Sequence, residues 1–433
     1  MTAQQDAVTT HVTCLGCGCA CDDITVRVRE GRIVEAEHAC PRGVAWFGDG
    51  SVPSSCISGA CAVSLDVALD DAARILAAAE QVLVYLAADL SCEAQREGVA
   101  IADRLSAQLT CLSAYATLPA VLAAQRRGRA GATLGEIRNR ADLVVFWGVD
   151  PSVRHPRFAS RFAPDPKGTH VPDGRRSRQV VAVDVGGARG PEWADERVPV
   201  PAGEEGNALA AMCAAVLGRP VDRRLAGDPA VPEWVSQVTA LATTLSRVRY
   251  AALVYDAEVV DTSGGRAEAL TTLAQTLNGP TRCAAVGLHE GGNRAGAEAV
   301  MTSQTGFPMS VDFARGAPRY RPELDVAERF PDRETDAVLV LGAPASVPSP
   351  LAEWVRHLTS VAIGPRATES RSAAVAIDTG VAGIHEGGIA LRMDDVPLPL
   401  RPALSAPVSA VTALRALRER IERRGGLMGG RPR

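Results

Sequence analysis

Short apolar strands alternating with amphipathic helices predict an α/β chain built on mostly parallel sheets, with a small β-rich, cysteine-bearing unit at its start. Three observations carry that expectation. Five apolar runs end in turn residues: VLVYLAAD (82–89), ADLVVFWGVDP (141–151), SRQVVAVDV (177–185), YAALVYDAE (250–258) and TDAVLVLGAPAS (335–346). Between them lie stretches with apolar positions at helical spacing, such as SLDVALDDAARILAAAE (64–80), PAGEEGNALAAMCAAVL (201–217) and GRAEALTTLAQTLN (265–278). Near the start, DDITVRVREGRIVEAEHA (22–39) alternates apolar and polar residues on either side of Glu30 and Gly31, the pattern of a hairpin.

Taken in order, residues 1–55 read as the small cysteine unit, mounted on that hairpin. Residues 56–235 read as a first α/β domain, with a Pro-, Gly- and charge-rich surface loop near 163–178. Residues 236–407 read as a second α/β region, which adds the short strands SVAIGPRAT (360–368) and SAAVAIDTG (372–380). Two interleaved α/β domains fit this order better than one. Residues 408–433 read as an amphipathic, Arg-rich helix and a frayed Gly/Arg tail.

Bulk composition removes several classes of function. In 433 residues, 46 % are hydrophobic and 22 % charged, with net charge −4, which disfavours disorder and a nucleic-acid-binding surface. The opening MTAQQDAVTT has no apolar core, and no run approaches 18 apolar residues, so neither a targeting peptide nor a membrane span is expected. The expected compartment is the cytoplasm. Thiols stay reduced there, so clustered cysteines among the eleven read as ligands before disulfides. Cys56, Cys61, Cys92, Cys111, Cys213 and Cys283 stand apart in apolar surroundings and read as small hydrophobes.

Cys14, Cys17, Cys21 and Cys40 have the spacing C-x2-C-x3-C-x18-C, with Cys19 a further thiol inside the loop. Three thiolates in a tight loop and a distant fourth suit a cubane iron-sulfur cluster. Zinc sites are more often built from two paired knuckles, and Cys40 has no such partner. The alternative is an empty site whose thiols simply pack. Asp22 and Asp23 read as turn residues that accept backbone hydrogen bonds.

Further stretches carry a resemblance. CLGCGCACDDI (14–24), HACPRGVAWF (38–47), SCEAQREGVAIADRL (91–105), TLGEIRNRADLVVFWGVDPSVRHPRFASR (133–161), TGFPMSVDFARG (305–316) and LRMDDVPLPLR (391–401) resemble, in order and over almost the whole chain, the B subunit of formylmethanofuran dehydrogenase. That family belongs to the molybdopterin-oxidoreductase superfamily. The resemblance implies that fold without its C-terminal β-barrel domain, which in this family is a separate polypeptide. It also implies a 4Fe-4S cluster at Cys14, Cys17, Cys21 and Cys40, and a tungsten or molybdenum bis-pterin. Arg42 falls between cluster and pterin, while Gly148, Asp150 and Asp184 fall in regions that bind the pterin dinucleotides.

One segment departs from the family. Its metal is held by a thiolate or selenolate on a Ser-x-Cys-His-Gly-Pro type of segment, which here reads SAYATLPAVLAAQ (113–125). Aligned on Pro119, Ala116 stands at the ligand position and Thr117 at the histidine position. A methyl group cannot coordinate tungsten, and a hydroxyl cannot replace imidazole as a proton carrier near neutral pH. Cys111 could replace the ligand only in another register. Near GLHEGGNRAG (287–296), where an active-site arginine of the family falls, His289 and Arg294 receive no catalytic role, and His289 reads as a turn histidine with local hydrogen bonds.

These losses make sense in the related formyltransferase/hydrolase complex of methylotrophic bacteria, whose components are similar and whose route from formyl-tetrahydromethanopterin to formate is hydrolytic. The expected role is a redox-inactive scaffold without tungsten or molybdenum pterin. A 4Fe-4S cluster would then be structural at most. Expected partners are an amidohydrolase-like, zinc-bearing A subunit, a C subunit, a formyltransferase D subunit and a methanofuran-type carrier, with neither nucleic acid nor membrane. The rival is an active tungsten or molybdenum formylmethanofuran (formate) dehydrogenase. An electron-carrying protein with a cluster and no pterin is the third reading.

Overall fold

A computed structural model describes residues 6–221, 232–258, 265–325, 330 and 334–427. The chain divides into two compact units, Met1–Tyr115 with Gly291–Arg433, and Ala116–Glu290. Sheets in both units are dominated by parallel strands, as the alternating pattern predicts.

In the first unit a nine-stranded sheet runs in the spatial order Arg319–Tyr320, Val311–Asp312, Gln108–Cys111, Val82–Leu86, Ala337–Leu341, Thr359–Gly364, Val375–Asp378, Cys56–Ser58, Cys61–Ala62. Its five central strands are parallel and its edges antiparallel. Every residue of Val82–Leu86 and Ala337–Leu341 is buried, which explains why these runs are continuously apolar rather than alternating. Helices Leu65–Ala78 and Cys92–Arg104 start at Ser64 and Ser91, whose hydroxyls accept the N–H of Val67 and Ala94. Helix Ala410–Leu427 packs across both. There Arg415 and Arg418 pair with Glu97 at 3.1 and 3.0 Å, and Arg420 bonds Asp66 and Asp70.

The N-terminal hairpin forms as read, from Ile24–Arg29 and Arg32–Glu37, with Ala7–Val12 on its other edge. Glu30 and Gly31 both take positive φ, 51° and 74°, the turn that matches strand twist.

The second unit holds a five-stranded, fully parallel sheet in the order Glu196–Val200, Gln179–Val185, Leu143–Trp147, Ala251–Asp256, Cys283–Leu288. Numbered along the unit, that order is 3-2-1-4-5. Helices Glu205–Val216, Glu233–Leu245 and Gly265–Leu277 bury Leu209, Met212, Val238, Leu241, Leu270 and Leu273 in its core. The loop near 163–178 is tied down by Arg178, which is 4 % exposed and donates to the carbonyl oxygens of Ala141, Pro164, Pro166 and Arg138.

The divisions read from the sequence at 55/56, 235/236 and 407/408 fall inside these units rather than between them. Main-chain pairing decides this: Ala251–Asp256 bonds to Leu143–Trp147, and Ala337–Leu341 bonds to Val82–Leu86, so each proposed domain is shared between two sheets. The end of the tail, 428–433, lies outside the described residues. No helix among those described is long and apolar enough to cross a membrane.

Candidate functional site

The cysteine loop lies between strands Ala7–Val12 and Ile24–Arg29. Two backbone bonds close it, Cys14 N–H to Cys21 O at 2.8 Å and Ala20 N–H to Cys17 O at 3.0 Å. Cys14, Cys17 and Cys21 are buried, and Cys40 is half-buried as the residue that caps helix Pro41–Phe47. Burial raises the Cys14 thiol far above its usual range, and the nearby Cys21, Cys17 and Cys40 add to this, against an opposing hydrogen bond from Gly16 N–H. Cys17, Cys21 and Cys40 thus all lie near enough to Cys14 to act on its thiol.

Gly43 lies against two of the thiols. A Cβ on Gly43 would stand 3.3 Å from Cys14 Sγ and 3.9 Å from Cys40 Sγ. Arg42, beside it, donates from Nη2 to Gly16 O at 3.3 Å and so ties the helix to the cysteine loop. From the other side, Gly292 N–H donates to Leu15 O at 2.8 Å and Met393 N–H to Gly18 O at 3.2 Å. Leu15 and Ala20 pack with Ala390, Leu398 and Leu400 of the hairpin Gly388–Leu391 and Pro397–Leu400.

Among the described residues no three His, Cys, Asp or Glu side chains form a group suited to one metal ion. A cubane asks for something different, since each thiolate meets its own iron. Four thiols gathered around a glycine-lined loop fit that donor set. Without a cationic core the buried Cys14 thiol stays protonated.

The segment 113–125 is largely helical. Ser113–Ala116 forms one helical turn, and Thr117, 4 % exposed, precedes helix Leu118–Arg127 with Pro119 in its first turn. Neither Ala116 nor Thr117 offers a metal-binding donor of the thiolate type. Cys111 ends strand Gln108–Cys111, fully buried, with its thiol directed to Pro308 O at 3.8 Å. Burial, helped by the charge of Glu298, pushes that thiol up to about 12. It is a core residue.

The strand ends of the second unit are also settled internally. Gly148 takes φ 57° and donates its N–H to Val183 O at 2.8 Å. Asp150 accepts Ser152 N–H at 2.8 Å and so caps the short helix Pro151–Arg154. Asp184, 2 % exposed, accepts from Arg197 at 2.7 and 2.8 Å, Arg189 at 2.9 Å and Gly190 N–H at 2.9 Å. Despite its burial, those donors hold its carboxyl below the usual range. His289 bonds locally, Nδ1 to Glu290 O at 3.0 Å, and its own carbonyl oxygen meets His155 Nε2 at 2.9 Å. Arg294 is buried at the start of helix Arg294–Thr305.

Two curated relatives align over nearly the full length. The B subunit of the tungsten-containing formylmethanofuran dehydrogenase 2 of Methanocaldococcus jannaschii is 29% identical over 416 residues, 92% of this chain and 94% of that protein. Its counterpart from Methanococcus maripaludis is 29% identical over 417 residues, with the same coverage. The chain is similar to the formylmethanofuran dehydrogenase B subunit over nearly its full length. A chain in the X-ray crystal structure of the formyltransferase/hydrolase complex (FhcABCD) from Methylorubrum extorquens in complex with methylofuran shares the fold. The TM-score is 0.71 at 22% identity, covering 86% of this chain and 100% of that one. No family model matches the sequence.

Sequence reasoning missed the residues that support the cysteine loop. Gly291 is one: a Cβ there would lie 2.5 Å from Leu15 O and 2.7 Å from Cys17 N. Asn293 is another, fully buried, with Oδ1 accepting Leu391 N–H at 2.8 Å and Nδ2 donating to Leu90 O at 3.0 Å. The adjacent glycines of GLHEGGNRAG were the available signal, since a glycine pair marks close backbone approach. Arg154 was missed too, because its partners are 102, 104 and 136 residues away.

Proposed function

We propose that this chain is the B subunit of a formyltransferase/hydrolase complex, kept as a scaffold and inactive in formate oxidation. The observation that carries the reading is the pair Ala116 and Thr117, standing where a metal-binding thiolate and a histidine are needed. The position of Cys111 supports it, because its side chain is fully enclosed in the core with the thiol directed to Pro308 O at 3.8 Å. Function follows the site rather than the fold, so a tungsten-enzyme ancestry does not supply tungsten chemistry.

In this reading the chain holds an amidohydrolase-like, zinc-bearing A subunit, a C subunit and a formyltransferase D subunit, and the assembly works on a methanofuran-type carrier in the cytoplasm. It releases formate from formyl-tetrahydromethanopterin by hydrolysis, which requires no electrons. Cys14, Cys17, Cys21 and Cys40 are the residues that would hold a 4Fe-4S cluster, whose contribution here would be to cross-link the loop to helix Pro41–Phe47. No tungsten or molybdenum pterin is expected.

The test is an assay of the purified assembly for both reactions. Formyl transfer and hydrolysis without formate-dependent reduction of a viologen dye is the expected result. Dye reduction that follows this chain through purification would establish the dehydrogenase reading instead.

A further inference from the structure

The second unit has the strand order 3-2-1-4-5, with the chain reversing direction across the sheet between Leu143–Trp147 and Ala251–Asp256. In open parallel sheets that switch point, outside the carboxyl ends of the strands, is the crevice that receives a dinucleotide. Phosphates there are bound by backbone N–H groups and by cationic side chains.

Donors of both kinds are engaged within the chain itself. Arg154, just after the first strand, divides its guanidinium among three carboxylates: Nη1 to Asp256, Nη2 to Glu258 and Nε to Glu290 Oε1 at 2.9 Å. Asp256 ends the fourth strand, Glu258 follows it, and Glu290 follows the fifth. The backbone is taken as well. Ser152 N–H bonds Asp150 at 2.8 Å, Glu258 N–H bonds Asp256 at 2.9 Å, Glu290 N–H bonds Glu258 at 2.9 Å and Gly190 N–H bonds Asp184 at 2.9 Å. Three carboxylates share this one guanidinium, and the side chains of Asp256 and Glu258 are only 12 % exposed, so water screens them weakly.

We propose that this crevice is closed by the chain's own charges: the carboxylates of Asp256, Glu258 and Glu290 take the place of a dinucleotide's phosphates on Arg154, and the unit binds no nucleoside diphosphate. The proposal deepens the scaffold reading and rests on it, by stating how the old cofactor region is kept shut. It also makes Arg154 a silenced phosphate-binding group rather than an ordinary surface arginine.

Isothermal titration of GDP into the full-length chain tests it. The wild type takes up no GDP at millimolar concentration. The variant E258Q/E290Q, with native near-UV circular dichroism, binds GDP at least tenfold more tightly than wild type, and adding R154M removes that binding. Wild-type GDP binding that R154M abolishes overturns the proposal, and so does a folded E258Q/E290Q chain that binds no better than wild type. If E258Q/E290Q does not fold, R154M and R154M/E258Q are compared by thermal unfolding. A higher melting temperature in the double variant supports a carboxylate cluster that needs its cation, and an equal or lower one overturns it. The two levels stay distinguishable: tungsten or molybdenum bound to the chain would end the scaffold reading, whereas GDP binding without those metals ends only this proposal.

Discussion

Gly292 N–H donates to the carbonyl oxygen of Leu15 at 2.8 Å, so the backbone after the second unit returns to lie directly on the cysteine loop. The neighbouring Gly291 leaves no room for a side chain, with a Cβ falling 2.5 Å from Leu15 O and 2.7 Å from Cys17 N. Both obstacles are backbone and cannot rotate away. Gly291→Ala is therefore expected to destabilise the chain by about 2 kcal/mol and to expose the loop thiols. Thermal unfolding and the rate of thiol labelling check this, and unchanged labelling would separate the glycine from the loop.

Cys111 fills core space and holds no metal in this account. Cys111→Ala should cost about 1 kcal/mol for the lost packing and thiol contact, with no change in the metal content or the hydrolytic activity of the assembly. Loss of tungsten or molybdenum with this substitution would identify Cys111 as a ligand.

Arg178 satisfies four carbonyl oxygens of the 163–178 loop and its surroundings from a buried position. Lysine has the charge but not the planar fork that reaches several acceptors. Arg178→Lys should cost about 3 kcal/mol and make the loop a preferred site of limited proteolysis, read by mass spectrometry of the fragments.

Glu386 links the first unit to pH. Its Oε1 accepts Ala410 N–H at the start of helix Ala410–Leu427, at 2.5 Å, and burial raises its carboxyl from 4.5 to about 7, against that hydrogen bond. The folded chain thus holds this proton more tightly than the unfolded chain. Stability from the proton is full below about 4.5 and is lost as pH rises through about 7, a change on the order of 3 kcal/mol. The adjacent His385, lowered chiefly by burial, acts oppositely and loses stability as pH falls below 6.5. Comparing denaturant unfolding of wild type and Glu386→Gln from pH 5 to 8 isolates the glutamate. The variant should gain on wild type as pH rises and level off above 7; a constant difference would contradict the assignment.

Local features were legible because local chemistry sets them. Glu30–Gly31 predicts its own turn, and the continuous apolar runs 82–86 and 143–147 predict buried parallel strands. Which sheet each strand joins is a matter of long-range pairing, and here the chain leaves the first unit at Tyr115 and returns at Gly291. That return also hid the support of the cysteine loop. The ligand set of four cysteines, from spacing, and the blank at Ala116 and Thr117, from resemblance, are proposals that metal analysis tests. The carboxylates around Arg154 could not, since no local pattern joins residues more than a hundred positions apart.

The most direct test of the central claim is elemental analysis of the anaerobically purified assembly, counted per chain of this protein. The account predicts no tungsten and no molybdenum, with zinc confined to the amidohydrolase-like partner. Tungsten or molybdenum near one per chain would contradict it.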